Sequence, residues 1–380
     1  VLVTGVLGYM RAQDALAESI YNQLTATRKT KARQVETYFR TIRNELGQLA
    51  VAKMTIDAAR EFRASFDELE RSEVPFELRR KVGDWYVADF LPEMSRVLGK
   101  EQNVNDYLPT GAAAYYLQDH YIVENPYPKD QRKLVDDAGD GSAYSRQHAI
   151  YHPLMRGAAA AFGFFDLMLV DPKSGRLVYT VAKEIDLAAS LRTGMLRQSG
   201  LAATVARCAA TPDRTAVCFG DFAPYAPSRG APTAFMTTPV LDQGVVIAVL
   251  VAQLSIDEID NVVTGDRQWR QDGFGDTGEA YLVGPDHLAR SGPRAFYENR
   301  PAYFAELKQG GASDATIDAI RRFGSPVLHQ RIDTAAAASA LAGTPGAALV
   351  LTKLELAYTG LKAVYGAGQP PYANHGARVV

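Results

Sequence analysis

Nearly forty residues close to the start of the chain contain almost nothing that ends a helix. From Asp14 to Ala52 the only helix-weakening residue is Gly47. Apolar residues recur there at alternating steps of four and three: Val35, Phe39, Ile42, Leu46 and Leu49. That spacing predicts one apolar seam on an α-helix, close to the coiled-coil period. Such a helix is about 55–60 Å long. It is therefore expected to lie along a folded body or along a second copy of itself.

The residues ahead of this helix, VLVTGVLGYM, carry no charge before Arg11. They are too few to cross a bilayer, which takes about 20 apolar residues. They form either the buried start of a helix or the last part of a transmembrane helix that begins upstream. We favour the second interpretation, so residues 1–55 are predicted to be the end of a transmembrane helix and a long signalling and dimerisation helix.

Composition narrows the classes of function. The chain is 47% hydrophobic and 22% charged, which is usual for a globular protein with a sizeable core. Its formal net charge of -2 provides no basic face for a nucleic acid, so no nucleic-acid partner is expected. The two cysteines, Cys208 and Cys218, flank a proline-containing loop. They are a candidate disulfide in an oxidising compartment and two ordinary thiols in a reducing one.

A strand pattern begins near residue 161. FFDLMLVD, the turn PKSG and RLVYTV predict a hairpin, and a helical segment follows from about Ala188 to Ala209. Three more strands follow in AVCFGDFAPY, APTAFMTTPVL and VVIAVLVAQL. Two strands, a helix and three strands form the order of a PAS-type antiparallel sheet. We therefore predict a PAS-like module over residues 161–260, preceded by a helical and loop cover over 56–160.

The strand-and-turn pattern returns in GEAYLVGPD. Helical patterns follow at about 301–307, 314–323 and 333–341, and then ALVLTKLELAY and LKAVYGAG look like strands. Residues 261–380 are thus predicted to form a second PAS-like module. The predicted fold class is α+β, a long N-terminal helix followed by two PAS-like antiparallel-sheet modules in tandem.

Five segments carry a resemblance to a known family: YLQDHYIVENPYP, DDAGDGSAYSRQHAIYHPLMR, FFDLMLVDPKSGRLVYTVAKEIDLAASL, DFAPYAPSRGAPTAFMTTPV and GFGDTGEAYLVGPD. With the long helix and the tandem modules, the chain resembles the double Cache domain. That family provides extracellular sensors for bacterial transmembrane chemoreceptors, histidine kinases and nucleotide cyclases. The arginine and aromatic signature of its amino-acid-binding members has no match, because Trp85 and Tyr86 lie in the helical part. Amino acid sensing is therefore not expected.

The resemblance implies a periplasmic sensor domain of a receptor in the bacterial inner membrane. It implies a small-molecule ligand in the membrane-distal module (161–260), transmission through the membrane-proximal module (261–380), and a homodimer through the N-terminal helix. Flanking helices would hold the receptor in the membrane. The domain itself is expected to be no enzyme and to need no cofactor, although the cytoplasmic part would be a kinase or a cyclase. The alternative is a membrane-anchored periplasmic binding or adaptor protein without its own output domain.

Catalytic and metal motifs are missing from the sequence, which has no GxSxG, Walker loop, CxxC or HExxH pattern. His148 and His152 are four residues apart, so on a helix they are weak candidates for a metal, with Asp166 or Glu184 as third ligand. Histidine pairs at this spacing more often pack or donate hydrogen bonds. We predict no metal site.

Polar residues on the predicted distal strands and their approaches are the ligand-binding candidates. They are Tyr144, His148, Asp166, Tyr179, Lys183, Glu184, Asp221 and Tyr225. Lys183, Asp166 and Asp221 together suit a small zwitterion or a carboxylate, held by charge-assisted hydrogen bonds. An internal salt-bridge network between the loop AKEID and the sheet explains the same residues equally well, and the sequence leaves both open.

Overall fold

The architecture is described from a computed structural model. It describes residues 2–276, 278–342, 348–350, 355–357 and 378–379. A long N-terminal helix leads into a helical cover, a five-stranded antiparallel sheet and a second, mainly helical unit. The predicted α+β class with its long leading helix is confirmed.

Helix α1 (Leu2–Val51) is a single helix of 50 residues. Its predicted apolar seam is confirmed as its packed face, since Val35 and Ile42 are buried. The ring of Phe39 meets the ring of Phe219 edge to face, with 5.6 Å between the centroids. From Val35 onward the seam is thus covered by the chain's own sheet. This seam is therefore not available to a second copy of the chain. A dimer through α1 stays a prediction, and it would have to use the other faces of the helix.

The uncharged N-terminal residues belong to this same helix. Over the part of the chain that the structure describes, no helix has both the length and the apolar character needed to span a membrane.

The cover that follows is more helical than the sequence predicts. Its helices are α2 (Lys53–Glu70), α3 (Phe76–Trp85), α4 (Leu91–Leu98), α5 (Ala112–Gln118) and α6 (Ala143–Ala161). A π-helical turn (Tyr86–Phe90) joins α3 to α4. Helix α6 contains Pro153 and continues through it. A proline inside a helix removes one backbone hydrogen bond. Ser142 caps the start of α6 by accepting from the Ser145 N–H.

The central sheet has the predicted order of elements. Its strands are β1 (Phe164–Val170), β2 (Leu177–Thr180), β3 (Cys218–Tyr225), β4 (Ala231–Asp242) and β5 (Val245–Leu254). Helix α7 (Gly200–Ala209) lies between β2 and β3 in the chain. The spatial order is β2-β1-β5-β4-β3, with every neighbouring pair antiparallel. The prediction of two strands, a helix and three strands is therefore confirmed.

Helix α7 is shorter than the predicted helix from Ala188 to Ala209. Ala188 and Gly194 have positive φ angles of 66°, which interrupts a right-handed helix. Ser199 then starts the helix as an N-cap, and its hydroxyl accepts from the Ala202 N–H at 3.1 Å. The ten residues before this cap form a loop over the sheet instead.

Both faces of the sheet are covered. Leu167 and Leu169 of β1 belong to the large core that includes α1 and α2, whereas Met168 and Val170 pack in the core that includes α7. This alternation is the period of two that a strand between two layers requires.

After the sheet, helix α8 (Ile256–Thr264) connects to the second unit. Its elements are β6 (Leu282–Val283), α9 (Arg294–Glu298), α10 (Arg300–Gln309), α11 (Asp314–Phe323), α12 (Ala335–Leu341), β7 (Ala348–Val350), β8 (Glu355–Ala357) and β9 (Arg378–Val379). The described strands pair as β6 with β9 and β7 with β8. The predicted strands from 348 to 366 lie mostly outside the described residues, so a complete second PAS-like module stays a prediction.

The two cysteines lie next to one another as free thiols. Cys208 ends α7 and its thiol donates to the Thr237 carbonyl at 3.2 Å. Cys218 begins β3 and is the cross-strand partner of the same Thr237. The two cysteines are thus neighbours in the fold, and the disulfide remains a candidate.

We expect Leu46→Ala to lower the free energy of unfolding by about 2–5 kcal/mol, the usual cost of truncating a buried leucine. Leu46 on α1 is fully buried against the core. Leu7→Ala is the matched control on the same helix, because Leu7 is 53% exposed, and it should change stability by less than about 0.5 kcal/mol. Urea unfolding followed by circular dichroism measures both. Equal effects would show that α1 is not an integral part of the folded body.

Candidate functional site

Polar side chains gather where β1 begins and β2 ends, beneath the loop that follows β2. Seven of the eight predicted ligand-binding residues are there, all except Asp221. These seven residues and four more form a group that we call the buried polar cluster. Its members are Tyr121, Tyr144, His148, His152, Asp166, Tyr179, Lys183, Glu184, Asp186, Tyr225 and Gln253. The additions are Tyr121, His152, Asp186 and Gln253.

Asp166 anchors the cluster from the beginning of strand β1. Its Oδ1 atom accepts hydrogen bonds from the backbone N–H groups of Val181 at 2.7 Å, Ala182 at 3.0 Å and Leu167 at 2.7 Å. Its Oδ2 atom is equally buried and has no hydrogen-bond partner. Burial raises the pKa of this carboxyl group to about 7, although the backbone donors and Lys183 oppose the rise. One carboxylate oxygen therefore holds the loop, and the other has no hydrogen-bond donor.

Lys183 is the cation of the cluster, and only 1% of it is exposed. Its φ angle of 62° lies in the left-handed region, at a cost of roughly 1–2 kcal/mol for a residue with a side chain. That conformation turns the side chain inward, where Nζ donates to the carbonyls of Thr180 and Val181. The ammonium group lies 4.8 Å from the ring centroid of Tyr179 and 5.8 Å from that of Tyr121. Burial lowers the pKa of Lys183 to about 7, against the attraction of Asp166.

A second carboxylate, Asp186, lies on the same loop and is fully buried. Its Oδ2 atom accepts from the hydroxyl of Tyr225 at 2.7 Å, while Oδ1 lacks a partner. Burial raises the pKa of Asp186 well above its usual range, and the nearby charge of Asp166 adds to this. Lys183 therefore faces two buried carboxylates that share one cation.

Glu184 belongs to the edge of the cluster. Its Oε2 atom accepts from the Ser228 hydroxyl at 2.6 Å. Three basic residues act on its charge: Arg229, Lys129 and Arg132. Burial raises the pKa of Glu184, and basic residues of the cover and of the β3–β4 turn oppose the rise.

Gln253 of β5 is the cross-strand partner of Asp166. Its amide nitrogen donates to the Ser228 hydroxyl at 3.2 Å, and its Oε1 atom is buried without a partner. A glutamine in the run VVIAVLVAQL breaks an otherwise apolar strand. That interruption was the signal by which the sequence could have indicated this residue.

The two histidines are buried in their neutral forms. The Nε2 atom of His152 lies 2.7 Å from the Lys133 carbonyl, so it carries the hydrogen, and Nδ1 accepts from the Tyr179 hydroxyl at 2.7 Å. The Nδ1 atom of His148 likewise donates to the Asp136 carbonyl at 2.7 Å. Burial lowers the pKa of His152 to about 2 and that of His148 well below its usual value.

This geometry argues against a metal held by the histidine pair. Both ring nitrogens of His152 are already hydrogen bonded, and the two rings stack with 4.2 Å between centroids. The described residues include no group of three or more His, Cys, Asp or Glu side chains arranged to hold a metal ion. The Nε2 atom of His148 is left as a buried acceptor without a partner.

With Asp166 and Asp186 ionised, all unsatisfied atoms of the cluster are hydrogen-bond acceptors. They are Asp166 Oδ2, Asp186 Oδ1, Gln253 Oε1 and His148 Nε2. A buried acceptor without a donor is costly, and native proteins rarely keep several together without a ligand, a water or a functional reason. The arrangement therefore suits a ligand that brings positive charge and several N–H donors.

Asp221 is placed differently from the prediction. It lies in β3 where the register with β4 shifts between Gly220 and Ala223. This irregularity sends its carboxylate away from Lys183 and toward the second unit. There it accepts from Arg290, with 2.9 Å between Nη2 and Oδ2, and Arg290 is 3% exposed. Asp221 therefore ties the sheet to the second unit and does not belong to the buried polar cluster.

Surface cavities lie elsewhere. One of about 740 Å³ separates α1 from the loop after α8 and contains the ion pair of Lys31 with Asp272, 2.6 Å apart. Another of about 830 Å³ lies between α10 and α11. Neither one adjoins the unsatisfied acceptors of the cluster, which is closed to solvent.

No family model and no curated protein matches the chain. Among solved structures, the sensor domain of the V. cholerae histidine kinase DctB is similar, with 11% identity, a TM-score of 0.26, and coverage of 60% of this chain and 76% of that one. The ligand-binding domain of the Pseudomonas aeruginosa amino acid chemoreceptor PctC, in complex with GABA, has 13% identity and a TM-score of 0.27 over 57% and 71% of the two chains. That of the Pseudomonas fluorescens chemoreceptor CtaA, with L-serine, has 14% identity and a TM-score of 0.26 over 57% and 67%.

All three are sensor or ligand-binding domains, the class that the sequence resemblance predicts, and none is described as a catalytic domain. Because the TM-scores lie below 0.5, the likeness carries no argument about the site.

The buried histidines predict a specific dependence of stability on pH. The pKa of His152 is lowered in the folded state, so its contribution is complete above pH 6.5 and is lost as the pH falls toward 2. His152→Gln removes that contribution. The free energy of unfolding of the wild type, minus that of the variant, should therefore fall by up to about 1.4 kcal/mol per pH unit below pH 6. Urea unfolding at several pH values between 7.5 and 4.5 measures it. If this difference in free energy does not change with pH, His152 takes up a proton in the folded state as readily as in the unfolded state.

Proposed function

We propose that this chain is the extracytoplasmic sensor domain of a bacterial transmembrane receptor, and that it binds a small organic amine at the buried polar cluster. The observation that carries the proposal is the set of buried acceptors without donors around one cation. The assignment as a sensor domain is supported by the resemblance of the sequence to double Cache sensors. It is also supported by the five-stranded sheet, whose elements follow the predicted order.

An ammonium group is the chemistry that fits these acceptors. It offers a positive charge and three N–H donors, and it is attracted to the faces of aromatic rings. Asp166 and Asp186 supply buried carboxylate oxygens, and Tyr121 and Tyr179 supply ring faces. A ligand whose only charge is a carboxylate would add negative charge beside both aspartates, which is unfavourable in a buried site. Of the two ligand types that the sequence suggested, the geometry thus favours one that contains an amine.

The position of the cluster suits transmission. The same sheet that carries Asp166 packs directly against α1 through β4. A ligand that binds more tightly to one conformation of the loop after β2 increases the population of that conformation. In the proposed receptor, residues 161–260 bind the ligand, and the second unit and α1 pass the change toward the membrane.

The test is a thermal-shift screen of the purified chain against ethanolamine, putrescine and β-alanine, with propionate and succinate as acids that lack nitrogen. An amine at one hundred times its dissociation constant should add about 2.7 kcal/mol of stability. Asp166→Asn should abolish that shift, because it removes the charge while its oxygen can still accept the backbone N–H groups of Val181 and Ala182. Asp213→Asn, at an exposed loop position, is the matched control and should keep the shift.

Two results would contradict the proposal. A shift by the acids alone would replace the amine with an anion as the ligand. An amine shift that survives in Asp166→Asn would place the binding site elsewhere in the chain.

A further inference from the structure

The buried polar cluster has no room for a ligand ammonium while Lys183 is in place. Asp166, Lys183 and Asp186 are each at most 1% exposed. The Lys183 ammonium already lies over the rings of Tyr179 and Tyr121, the position that a bound amine would take. A ligand can therefore enter this site only if the lysine moves.

Lys183 occupies the amine position without donating hydrogen bonds to the two carboxylates. Its hydrogen bonds go to the carbonyls of Thr180 and Val181, which lie three and two residues back in the chain. Among the described residues no carboxylate oxygen forms an ion pair with its ammonium within 4.0 Å, and Asp166 Oδ2 and Asp186 Oδ1 lack donors. The lysine thus supplies charge but not the hydrogen bonds that the two carboxylates need. A free ammonium, not restricted by a short tether, can supply both.

The backbone of Lys183 also favours movement. Its left-handed φ angle of 62° is a conformation that residues with side chains rarely adopt, and it is held here by the inward position of the side chain. If the side chain leaves, the residue can return to an ordinary backbone conformation. Strain of this kind raises the free energy of the state that contains it, and it is common at sites that switch between two states.

Resting on the proposed function, we propose that Lys183 is a tethered competitor of the ligand. Its ammonium fills the amine position in the empty domain, and an arriving amine displaces it. Displacement moves the segment that follows β2. The carbonyls of Ile185 and Leu187 accept from the Gln118 amide at 2.9 and 3.0 Å, and Asp186 binds Tyr225 of β3. The exchange of one ammonium for another would thereby change how the cover contacts the sheet.

Chemical labelling of the wild-type chain tests the displacement. The chain is treated with an acetylating reagent, with and without ethanolamine, putrescine or β-alanine, and acetylation is read by mass spectrometry. The ratio of labelling at Lys183 to that at Lys173, which is exposed on the β1–β2 turn, corrects for reagent that the amine consumes. A bound ligand normally protects its site. Here the ratio should rise at least about tenfold on binding, because the buried lysine becomes the displaced group.

Lys183→Met gives an independent measurement. Without the competitor, the dissociation constant for the amine should fall by about tenfold or more, as measured by calorimetry. Lys173→Met is the matched control and should bind as the wild type does. If Lys183→Met does not fold, the labelling of the wild type still decides.

The results separate the two proposals. If amines raise the melting temperature of the wild type but the labelling ratio stays constant or falls, Lys183 is a fixed part of the site and the tethered competitor is wrong. Weaker binding by a folded Lys183→Met leads to the same conclusion. If no amine stabilises the wild type or Lys183→Met, the proposed function fails and takes this proposal with it.

Discussion

The hydrogen bonds from the loop after β2 to Asp166 Oδ1 are the contact on which the rest of the site depends. One carboxylate oxygen collects the N–H groups of Val181 and Ala182 and so fixes where that loop crosses the sheet. The crossing brings Lys183 and Asp186 inside and places them beside Tyr179 and Tyr225. Because a buried charge needs compensation, polar and aromatic side chains are gathered around it among the apolar residues of the core. The core of this domain is therefore built around an ionised or ionisable group instead of around apolar packing alone.

Such a core gives up stability. Buried carboxylates and a buried lysine are each unfavourable compared with apolar side chains of similar volume, and two neutral histidines add acid sensitivity. The remaining structure supplies the compensation: α1 buries a continuous face on the sheet, and α6 and α7 close both sides. Apolar packing thus holds the long helix against the strands, and the four unsatisfied acceptors of the buried polar cluster lie at one end of the sheet. That separation is common in proteins whose sites must change state.

Much of this was predictable from local pattern. Alternation and turn residues gave the five strands and their order, and the steps of four and three gave the packed face of α1. Contacts between distant segments were not predictable. Asp221 shares strand β3 with Tyr225, and only a shift in register turns it toward Arg290. Helix α6 continues through Pro153 because its other hydrogen bonds and the Ser142 cap are enough. Asp186 was passed over beside Glu184, since no sequence rule says which of two nearby acids points inward.

Strand β3 connects the buried polar cluster with the second unit. It lies at the edge of the sheet and is bonded to β4 alone. Tyr225, which holds Asp186, and Asp221, which holds Arg290 of the second unit, are four residues apart on it, or about 13 Å along an extended chain. An edge strand can slide while disturbing one ladder of hydrogen bonds, whereas an inner strand disturbs two. We therefore expect a displacement of Tyr225 to move β3 along its length. Asp221 would then pass that movement to Arg290 of the second unit.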